Sequence, residues 1–488
     1  MQLRLEHADL ASVKCVGRHQ LSLLCCLVCL LVTASGTKAQ SFETPRKIDG
    51  YRGIWFDLGQ KSQYGSKYSG GLGTYTAKHH PLAIYAPQVD KTFFVYGGTT
   101  EPNAHHLLAM ISYYDHETGL LPKPTVVHDK QTVNDPHDNP SLALDPAGHL
   151  WVFVSGRGRV RPGFIYRSRR PYDIDAFELV SQREITYPQP HWLSQSRLLH
   201  LFTKYTHGRE LYWATSPDGR QWSDDHKLAG MGGHYQMSSQ RPLDDGSGDR
   251  VITAFNMHPS GSVDLRTNLY FVQSDNGGMT WQNVAGDDVD TPLVDAACTA
   301  LVHDYRRDQR LVYLKDIGFD AVGNPVLMYV TSDAHTPGPQ ERPRRWTIAH
   351  WRGSEWQFGE IADAQHNYDM GSLYIEPDQW RVIAPTEPGP QPHGTGGEIA
   401  IWSSNDDGAT WRKVRQLTIG SERNHGYVRR PVAAHDDFYG FWADGNPNES
   451  SPSHLYFCDR AGDHVWRLPY DMNSVTARPE LVGPPRSK

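Results

Sequence analysis

The sequence has few cysteines and no long hydrophobic run. Of its six cysteines, four lie before residue 30, which leaves only Cys298 and Cys458 in the remaining chain. At most one disulfide can form there, and the two thiols either pair in an oxidising compartment or stay buried. The apolar stretch 21–32 is about a dozen residues long, which is too short to span a bilayer comfortably.

The sequence also lacks a large excess of one charge sign and any long helical periodicity. Lys and Arg number 48 against 55 Asp and Glu, a formal net charge of −7, and neither a basic arm nor an acidic tail is present. Nucleic acid is therefore excluded as an expected partner. No heptads, long amphipathic helix or interdomain linker follow Gly50, whereas 14 Trp, 24 Tyr and 33 Pro are typical of short aromatic strands joined by tight turns.

Seven polar clusters recur along the chain, each just ahead of a strand-like run. They are Lys78-His79-His80-Pro81, His137-Asp138-Asn139-Pro140, Tyr187-Pro188-Gln189-Pro190, His234-Tyr235-Gln236, Asp295-Ala296-Ala297-Cys298, His366-Asn367-Tyr368-Asp369 and His425-Gly426-Tyr427-Val428-Arg429-Arg430. His79 and His425 are 346 residues apart over six intervals, a mean period of about 58 residues. This period predicts an all-β, seven-bladed β-propeller of one domain, in which the seven clusters converge on the central channel.

The N-terminus predicts an exported protein. Lys14 and Arg18 precede the apolar stretch, and small residues with a cleavage site before Gln40 follow it. We expect a signal peptide over 1–39, a tether over 40–48 and a catalytic propeller over 49–488, in a secreted or periplasmic protein without membrane attachment after processing. The alternative is that the leader is retained as an anchor.

Recurrent turns resemble Asp boxes. Residues 404–411 match the pattern S-x-D-x-G-x-T-W throughout, 274–281 match it with Asn for Asp, and 216–222 are one residue shorter. In such a turn the carboxylate accepts backbone N–H groups, Gly supplies a positive φ, and Trp packs between blades. We interpret these turns as structural staples that indicate a propeller without indicating an enzyme.

The densest set of chemically competent residues lies around the second and third clusters. His137 is the candidate general base, since a neutral imidazole titrates near the working pH. Tyr187 is the candidate proton donor, and Arg157 and Arg209 are the candidate clamps for a carboxylate. Each has a structural alternative: His137 bonding a turn or a metal, Tyr187 packing between blades, and the arginines pairing with local carboxylates.

A further set is expected to bind substrate around the ring. Its members are His234, Tyr235, His366, Tyr368, His425, Arg429 and Arg430. Alternatively, His366 and His425 could hold a metal with Cys298 and His234, although these ligands lack the short spacings of a recognised zinc motif. The metal content stays open, with a structural calcium or zinc ion as the possibilities.

Several motifs resemble those of secreted bacterial-neuraminidase-repeat (BNR-4 type) propeller proteins. They are the segments 51–56 and 68–75, His137-Asp138-Asn139-Pro140, Ser155-Gly156-Arg157-Gly158, Phe202-Thr203-Lys204-Tyr205 and 366–372. The resemblance extends from about residue 49 to about 470, and the group includes propeller-fold ulvan lyases, which cleave a sulfated algal polysaccharide beside its uronic acid. It implies that His137 corresponds to the lyases' catalytic His and Tyr187 to their acid/base Tyr. Arg157 stands where the lyases tend to have a second His.

Three functions are consistent with these patterns. The leading hypothesis is a polysaccharide lyase, expected to be a monomer, that acts by β-elimination on an acidic, uronate-containing and sulfated (ulvan-like) glycan. The second is a sialidase-like glycoside hydrolase, with Tyr427 as a nucleophile assisted by Glu376 or Glu398 and Arg429-Arg430 on the carboxylate. Alternatively, a hydrolase could use a carboxylate pair drawn from Asp138, Asp369 or Glu398. The third is a non-catalytic glycan-binding propeller, which needs arginines and aromatic platforms without an acid–base pair.

Overall fold

Short strands separated by Gly, Asn and Asp turns dominate the computed structural model, which describes residues 46–75, 78–102, 104 and 106–483. The helices of this described part are two one-turn 3-10 helices, Pro136–Asp138 and Pro259–Gly261. Consecutive antiparallel strands form seven sheets around one axis. The predicted seven-bladed β-propeller is therefore confirmed.

Each of the first three blades is a four-stranded antiparallel sheet whose strands run in chain order from the axis outward. Blade 1 comprises Ala83–Ala86, Lys91–Gly98, Leu108–Asp115 and Thr125–Asp129. Blade 2 comprises Pro140–Leu144, Leu150–Val154, Gly163–Ser168 and Phe177–Arg183. Blade 3 comprises Thr186–Leu193, Arg197–Tyr205, Arg209–Ser216 and His226–Ala229.

Blades 4 and 7 carry extra strands, whereas blades 5 and 6 have four. Blade 4 comprises Gln236–Pro242, Asp249–Met257, Thr267–Ser274, Trp281–Gln282, Asp288–Val289 and Leu301–His303. Blade 5 comprises Leu311–Phe319, Pro325–Ser332, Arg345–Trp351 and Trp356–Asp363. Blade 6 comprises Ser372–Ile375, Trp380–Glu387, Glu398–Ser404 and Arg412–Gln416. Blade 7 comprises Asn424–Arg429, Gly440–Gly445, Leu455–Cys458, Val465–Arg467 and Glu480–Gly483.

The fifth predicted cluster does not start an innermost strand. Residues 295–298 precede Leu301–His303, which pairs with the third strand of blade 4. The innermost strand of blade 5 is Leu311–Phe319, which places Tyr313 and Lys315 near the axis instead of a His cluster. The extra outer strands of blade 4 make this repeat longer than the others. A constant period therefore places the start of blade 5 too early in the sequence.

The core is divided among the seven blade interfaces. Each of seven apolar clusters joins residues from two neighbouring blades, for example Phe94 of blade 1 with Phe441 of blade 7. An eighth cluster lies on the axis and includes Tyr68, Tyr75 and Tyr427. Each blade therefore buries its apolar faces against the two neighbouring blades, as expected for a radial repeat.

The segment before blade 1 and the end of the chain close the ring. Trp55–Asp57 pairs with Ser69–Gly71, and Lys61–Ser62 pairs with Gly65–Ser66. Leu121–Pro122, an insertion of blade 1, pairs with Thr476–Ala477. Backbone bonds from Tyr51 and Gly53 to Pro469 and Ser453, and from Ile54 to Gly97, join this segment to blades 7 and 1.

The predicted signal peptide and residues 40–45 of the predicted tether lie outside the described residues. The last tether residues run beside blade 1, where the carbonyl of Arg46 accepts from Val126 and Lys47 bridges to Thr125. None of the helices in the described part of the chain is long and apolar enough to cross a membrane. Cys298, half-buried in blade 4, and Cys458, buried in blade 7, are free thiols.

Candidate active site

A cavity of about 110 Å³ lies on the axis, where the innermost strands begin. Its lining residues are predominantly cationic or aromatic. They are Leu58, Gln60, Lys67, Tyr68, Tyr75, His137, Arg157, Arg209, Tyr235, Val263, Arg266 and Tyr368. Blades 2, 3, 4 and 6 and the segment before blade 1 therefore all contribute to one pocket.

His137 is placed by a single turn of 3-10 helix. Asp135 caps this turn by accepting the His137 N–H at 3.1 Å, and Pro136 supplies the fixed φ suited to a first helical position. The same carboxylate oxygen bonds His137 Nδ1 at 2.5 Å. Since Nδ1 donates to the carboxylate, the neutral imidazole carries its lone pair on Nε2, the ring nitrogen left for a ligand.

Asp135 also organises two guanidiniums. Its second oxygen accepts from Arg157 NH1 and Arg161 NH2, each at 2.7 Å. Burial works to raise the pKa of Asp135, but His137, Arg161 and Arg157 outweigh it and hold that pKa well below its usual range. Asp135 is consequently an anion that fixes a base and a cation at the same edge of the cavity.

Two tyrosines near the axis have positive φ angles within strand irregularities. Tyr187 has φ 54° where the pairing shifts between Thr186 and Gln189, and Tyr427 has φ 59° where it shifts between Gly426 and Arg429. A positive φ is costly for a bulky residue, and such strain is concentrated at functional sites. The bulges turn both rings toward the axis: Tyr187 lies 5.5 Å from Tyr235 and Tyr427 lies 5.4 Å from Tyr75, between ring centroids.

Arg266 is the cation at the centre of the tyrosine cluster. Its guanidinium lies 4.4 Å from the ring centroid of Tyr235, and its NH2 donates to the Tyr368 hydroxyl at 2.8 Å. Arg266 itself is buried. A buried guanidinium over aromatic faces is favourable, and it also creates a positive potential for any anion that enters.

The pKa values of the two neighbouring phenols are shifted in opposite directions. Burial raises the pKa of Tyr187 well above its usual value. Burial also acts to raise the pKa of Tyr235, but Arg209 and Arg266 outweigh it and leave that pKa lowered. Tyr235, which lines the cavity, is therefore the phenol that releases its proton more readily.

The structure brings about half of the predicted site residues together. His137, Arg157, Arg209, Tyr235 and Tyr368 line the cavity. Tyr187 lies just behind it, with its ring 5.9 Å from that of His137. His366 is buried behind Tyr368, with ring centroids 5.8 Å apart.

The remaining predicted residues lie elsewhere. His234 points away from the pocket, where its Nδ1 bonds the Asn256 carbonyl and its Nε2 accepts from the Met231 N–H. His425 lies beside Asp444 in a cavity lined by blades 6 and 7, where its Nδ1 accepts from Trp442 Nε1. Arg429 is buried against the Lys315 carbonyl, and Arg430 lines a different cavity, with His80 and His191.

Sequence reasoning missed several residues of the site. Asp135 lies two positions before His137, so the pattern D-x-H was an available signal. Tyr68 and Tyr75 lie in the quoted motif before blade 1, but nothing in the sequence placed that segment across the cavity. Arg266 and Lys67 carried no signal, because each lies on a loop whose path depends on the fold.

The predicted metal set does not assemble. Its members, His234, Cys298, His366 and His425, belong to blade 4 or to the regions of blades 6 and 7. Each of the three histidines has a ring nitrogen bonded to another protein group. Within the described residues, the group of three ligands close enough to share an ion is instead His116, His435 and Asp437.

The ring of seven blades and its cationic axial cavity define a β-propeller with a pocket on its axis. A family model, the BNR repeat-containing family member, matches residues 109–364, which is more than half of the chain. The chain belongs to this family.

Two curated relatives are similar over most of the chain. An ulvan lyase of Nonlabens ulvanivorans is 23% identical over 401 residues, covering 72% of this chain and 79% of the relative. An ulvan lyase of family PL25 from Pseudoalteromonas sp. (strain PLSV) is 22% identical over 376 residues, covering 67% and 72%.

Solved structures show the same fold. A PL25 ulvan lyase bound to -[GlcA(1-4)Rha3S]- superposes with a TM-score of 0.66 at 15% identity, covering 88% of this chain and 98% of that one. The polysaccharide lyase Uly1 superposes with a TM-score of 0.57 at 13% identity, covering 86% and 99%.

Proposed function

We propose that this chain is a polysaccharide lyase that cleaves a uronate-containing glycan by β-elimination. The observation that carries the proposal is the composition of the axial cavity. Its lining includes three arginines, a lysine, a histidine and four tyrosines, and no carboxylate is among these described residues. Such a lining suits an anionic sugar and an acid–base mechanism without a carboxylate nucleophile.

In the proposed reaction, the arginines bind the uronate carboxylate and stabilise the charge that develops on it. His137 Nε2 takes the proton from C5, and the electron pair of that C–H bond forms the C4=C5 double bond. The C4–O4 bond then breaks. The leaving oxygen receives a proton, so the products are an unsaturated uronate and a new sugar end.

Tyr235 is the proposed donor of that proton. It lines the cavity, and its lowered pKa makes proton release easier than for Tyr187. Tyr187, which the sequence pointed to, lies behind Tyr235 and supports its position. This assigns the contact with the leaving oxygen to a different tyrosine from the one chosen on sequence.

The relatives support the substrate class. Both curated relatives are ulvan lyases, and the ligand named for one superposed structure alternates glucuronate with a sulfated rhamnose. We extend this class, a sulfated uronate polysaccharide, to the present chain. Such a substrate is extracellular, which agrees with the export predicted from residues 1–39.

A hydrolase would need carboxylates beside the scissile bond: a pair in the common mechanism, or, in a sialidase-like mechanism with a Tyr nucleophile, a Glu that assists the Tyr and an Asp acid. Asp138 is fully buried against Arg161 and Lys130, and Glu398 bonds Ser421. Asp369 is also fully buried, and burial raises its pKa to about 7. None of these candidates lines the cavity, so elimination is favoured over hydrolysis.

The test is ultraviolet absorbance of the unsaturated uronate during incubation with a panel of uronate polysaccharides, ulvan included. The parent protein should produce a rise, and His137→Ala should lower its rate by about 10²–10⁴-fold, the usual contribution of a general base. His149→Ala is the matched control, because His149 belongs to the same blade but lies at the hairpin turn after its innermost strand, away from the cavity.

The alternatives give different results. New reducing ends without absorbance would replace elimination by hydrolysis. Binding to the same glycans without either signal would leave a carbohydrate-binding propeller, and both results would overturn the proposed reaction.

A further inference from the structure

Two imidazoles meet at the joint between blades 7 and 1. His116 directly follows the third strand of blade 1, and His435 and Asp437 lie between the first two strands of blade 7. Innermost strands start at the axial cavity and neighbouring strands are antiparallel, so both loops lie on the opposite face of the ring. This group is therefore separate from the candidate active site.

The three residues are close enough to share one ion. The ring centroids of His116 and His435 are 3.8 Å apart, and one ligand atom from each of the three residues lies within 4.8 Å of the others. His116 Nδ1 is buried without a hydrogen-bond partner in the described structure. An unpaired buried nitrogen costs free energy unless something binds it.

The other nitrogen of His116 is already oriented. His116 Nε2 bonds the Thr92 hydroxyl at 2.8 Å, which leaves Nδ1 as the ring nitrogen available to an ion. A histidine that binds a metal through one nitrogen usually has its second nitrogen held by an oxygen in this way. The ring of Tyr85 packs edge-on against His116 at 5.4 Å and also contacts His435 at 4.9 Å, which fixes the pair further.

We propose that His116, His435 and Asp437 bind one divalent transition-metal ion of the zinc class. Imidazole nitrogens select Zn²⁺ and its neighbours, whereas Ca²⁺ and Mg²⁺ prefer oxygen ligands. Three protein ligands leave a fourth tetrahedral position for water. His435 Nδ1 accepts from the Asp437 N–H at 3.1 Å, and this bond lies in an exposed turn where water can replace it if the metal takes that nitrogen.

The ion would act as a clamp for ring closure. Without it, the joint at this face is made by the pairing of Val432 with Ile84 and by the packing of Phe438 and Phe441 against blade 1. Its ligands come from two blades at opposite ends of the sequence, so the unfolded chain has no preformed site. Because the ion binds the folded ring and not the unfolded chain, it stabilises the folded state by mass action.

The test uses the purified full chain, stripped with a chelator and dialysed, with Zn²⁺ followed by calorimetry and Co²⁺ by its visible absorption. We expect one equivalent to bind. His435→Gln should weaken binding at least tenfold, as should Asp437→Asn, whose exposed position makes misfolding an inadequate explanation. Zn²⁺ at about 100 times its Kd should raise the Tm of the parent by about 2–5 °C, and that of the variants by less.

The control is His464→Gln. His464 Nδ1 also lies beside a carboxylate, Asp459, at 2.6 Å in blade 7, but without a second imidazole. It should leave metal binding unchanged. Absence of a stoichiometric site in the parent, or equal affinity in the parent and the His435 and Asp437 variants, would overturn the proposal.

Discussion

At the scale of single residues, the candidate site depends on Asp135 as much as on the groups that face the cavity. One carboxylate caps the turn that carries His137, sets the tautomer of its ring and pairs with Arg157. A general base needs a free lone pair in a fixed direction, and a clamp needs a fixed cation. The same buried anion meets both requirements.

Asp135→Asn is expected to lower kcat by about 10²–10⁴-fold. The amide can still accept one hydrogen bond, but it no longer dictates which nitrogen of His137 carries the proton. It also leaves Arg157 without its anion and Arg161 with Asp138 alone. The absorbance assay measures the effect. Asp320→Asn is the matched control, since Asp320 holds His350 at 2.9 Å in blade 5 outside the cavity lining. Similar losses in both variants would assign the effect to general destabilisation.

Tyr235→Phe and Tyr187→Phe separate the two candidate proton donors. If Tyr235 donates the proton, its loss should lower kcat by about 10²–10⁴-fold, whereas Tyr187→Phe should cost less, because that phenol lies behind the first. The pH–rate profile gives a second measurement, since loss of the titrating phenol should remove the alkaline limb. A larger loss for Tyr187→Phe would return the acid role to the tyrosine chosen from the sequence.

At the scale of elements, the sequence predicts what local patterns determine. Six of the seven clusters do lie at the start of an innermost strand, and the Asp-box turns do join outer strands. The exception, 295–298, follows from an insertion into blade 4 that a period cannot show. Arg266 was missed for a related reason: it precedes the third strand of its blade and reaches the axis through a loop.

Arg430 shows the converse error. It belongs to the correct cluster but comes after the innermost strand of blade 7, so it lines the cavity with His80 and His191 instead of the axial pocket. Strands alternate the direction of successive side chains, and a bulge between Gly426 and Arg429 changes that alternation. The residues near the axis can be predicted from spacing, whereas the end of the channel that each one faces cannot.

The Asp box of blade 6 should contribute stability without contributing activity. Asp406 accepts the Thr410 N–H at 2.9 Å and the Thr410 hydroxyl at 2.6 Å in the turn between the outer strands. Asp406→Ala is expected to cost about 1–3 kcal/mol of unfolding free energy, measured by denaturant titration, with kcat unchanged. Asn405→Ala, at the exposed neighbouring position, is the control. A change in kcat would contradict the structural interpretation.

At the scale of the whole molecule, charge is distributed unevenly. The chain carries a formal net charge of −7, yet the axial cavity is lined by Lys67, Arg157, Arg209 and Arg266. A concave cationic site in an anionic protein concentrates the field at the pocket and disfavours binding of polyanions elsewhere on the surface. The radial fold makes this possible, because side chains from distant parts of the sequence meet only at the axis.

The burial of several histidines makes the stability of the folded state sensitive to acid. Several imidazoles have a pKa lowered to about 3 or 4, with burial as the main cause: His79, His128, His191 and His234. In the unfolded chain each regains a pKa near 6.5, so below that pH the unfolded state binds more protons than the folded state. Stability should therefore fall as the pH decreases from about 6.5 to about 4, by up to about 1.4 kcal/mol per pH unit for each such histidine.

One carboxyl acts in the opposite direction. Asp369, whose pKa burial raises to about 7, takes up its proton earlier in the folded state, and so it adds stability as the pH falls toward 4. The four histidines outnumber it, and the net effect should be a declining Tm across this range. His191→Gln, which removes a buried imidazole bonded to Ser238, should reduce the slope of unfolding free energy against pH by one histidine's share. If the slope of unfolding free energy against pH did not change, His191 would have to take up its proton as readily in the folded as in the unfolded state. That result would contradict burial as the cause of its lowered pKa.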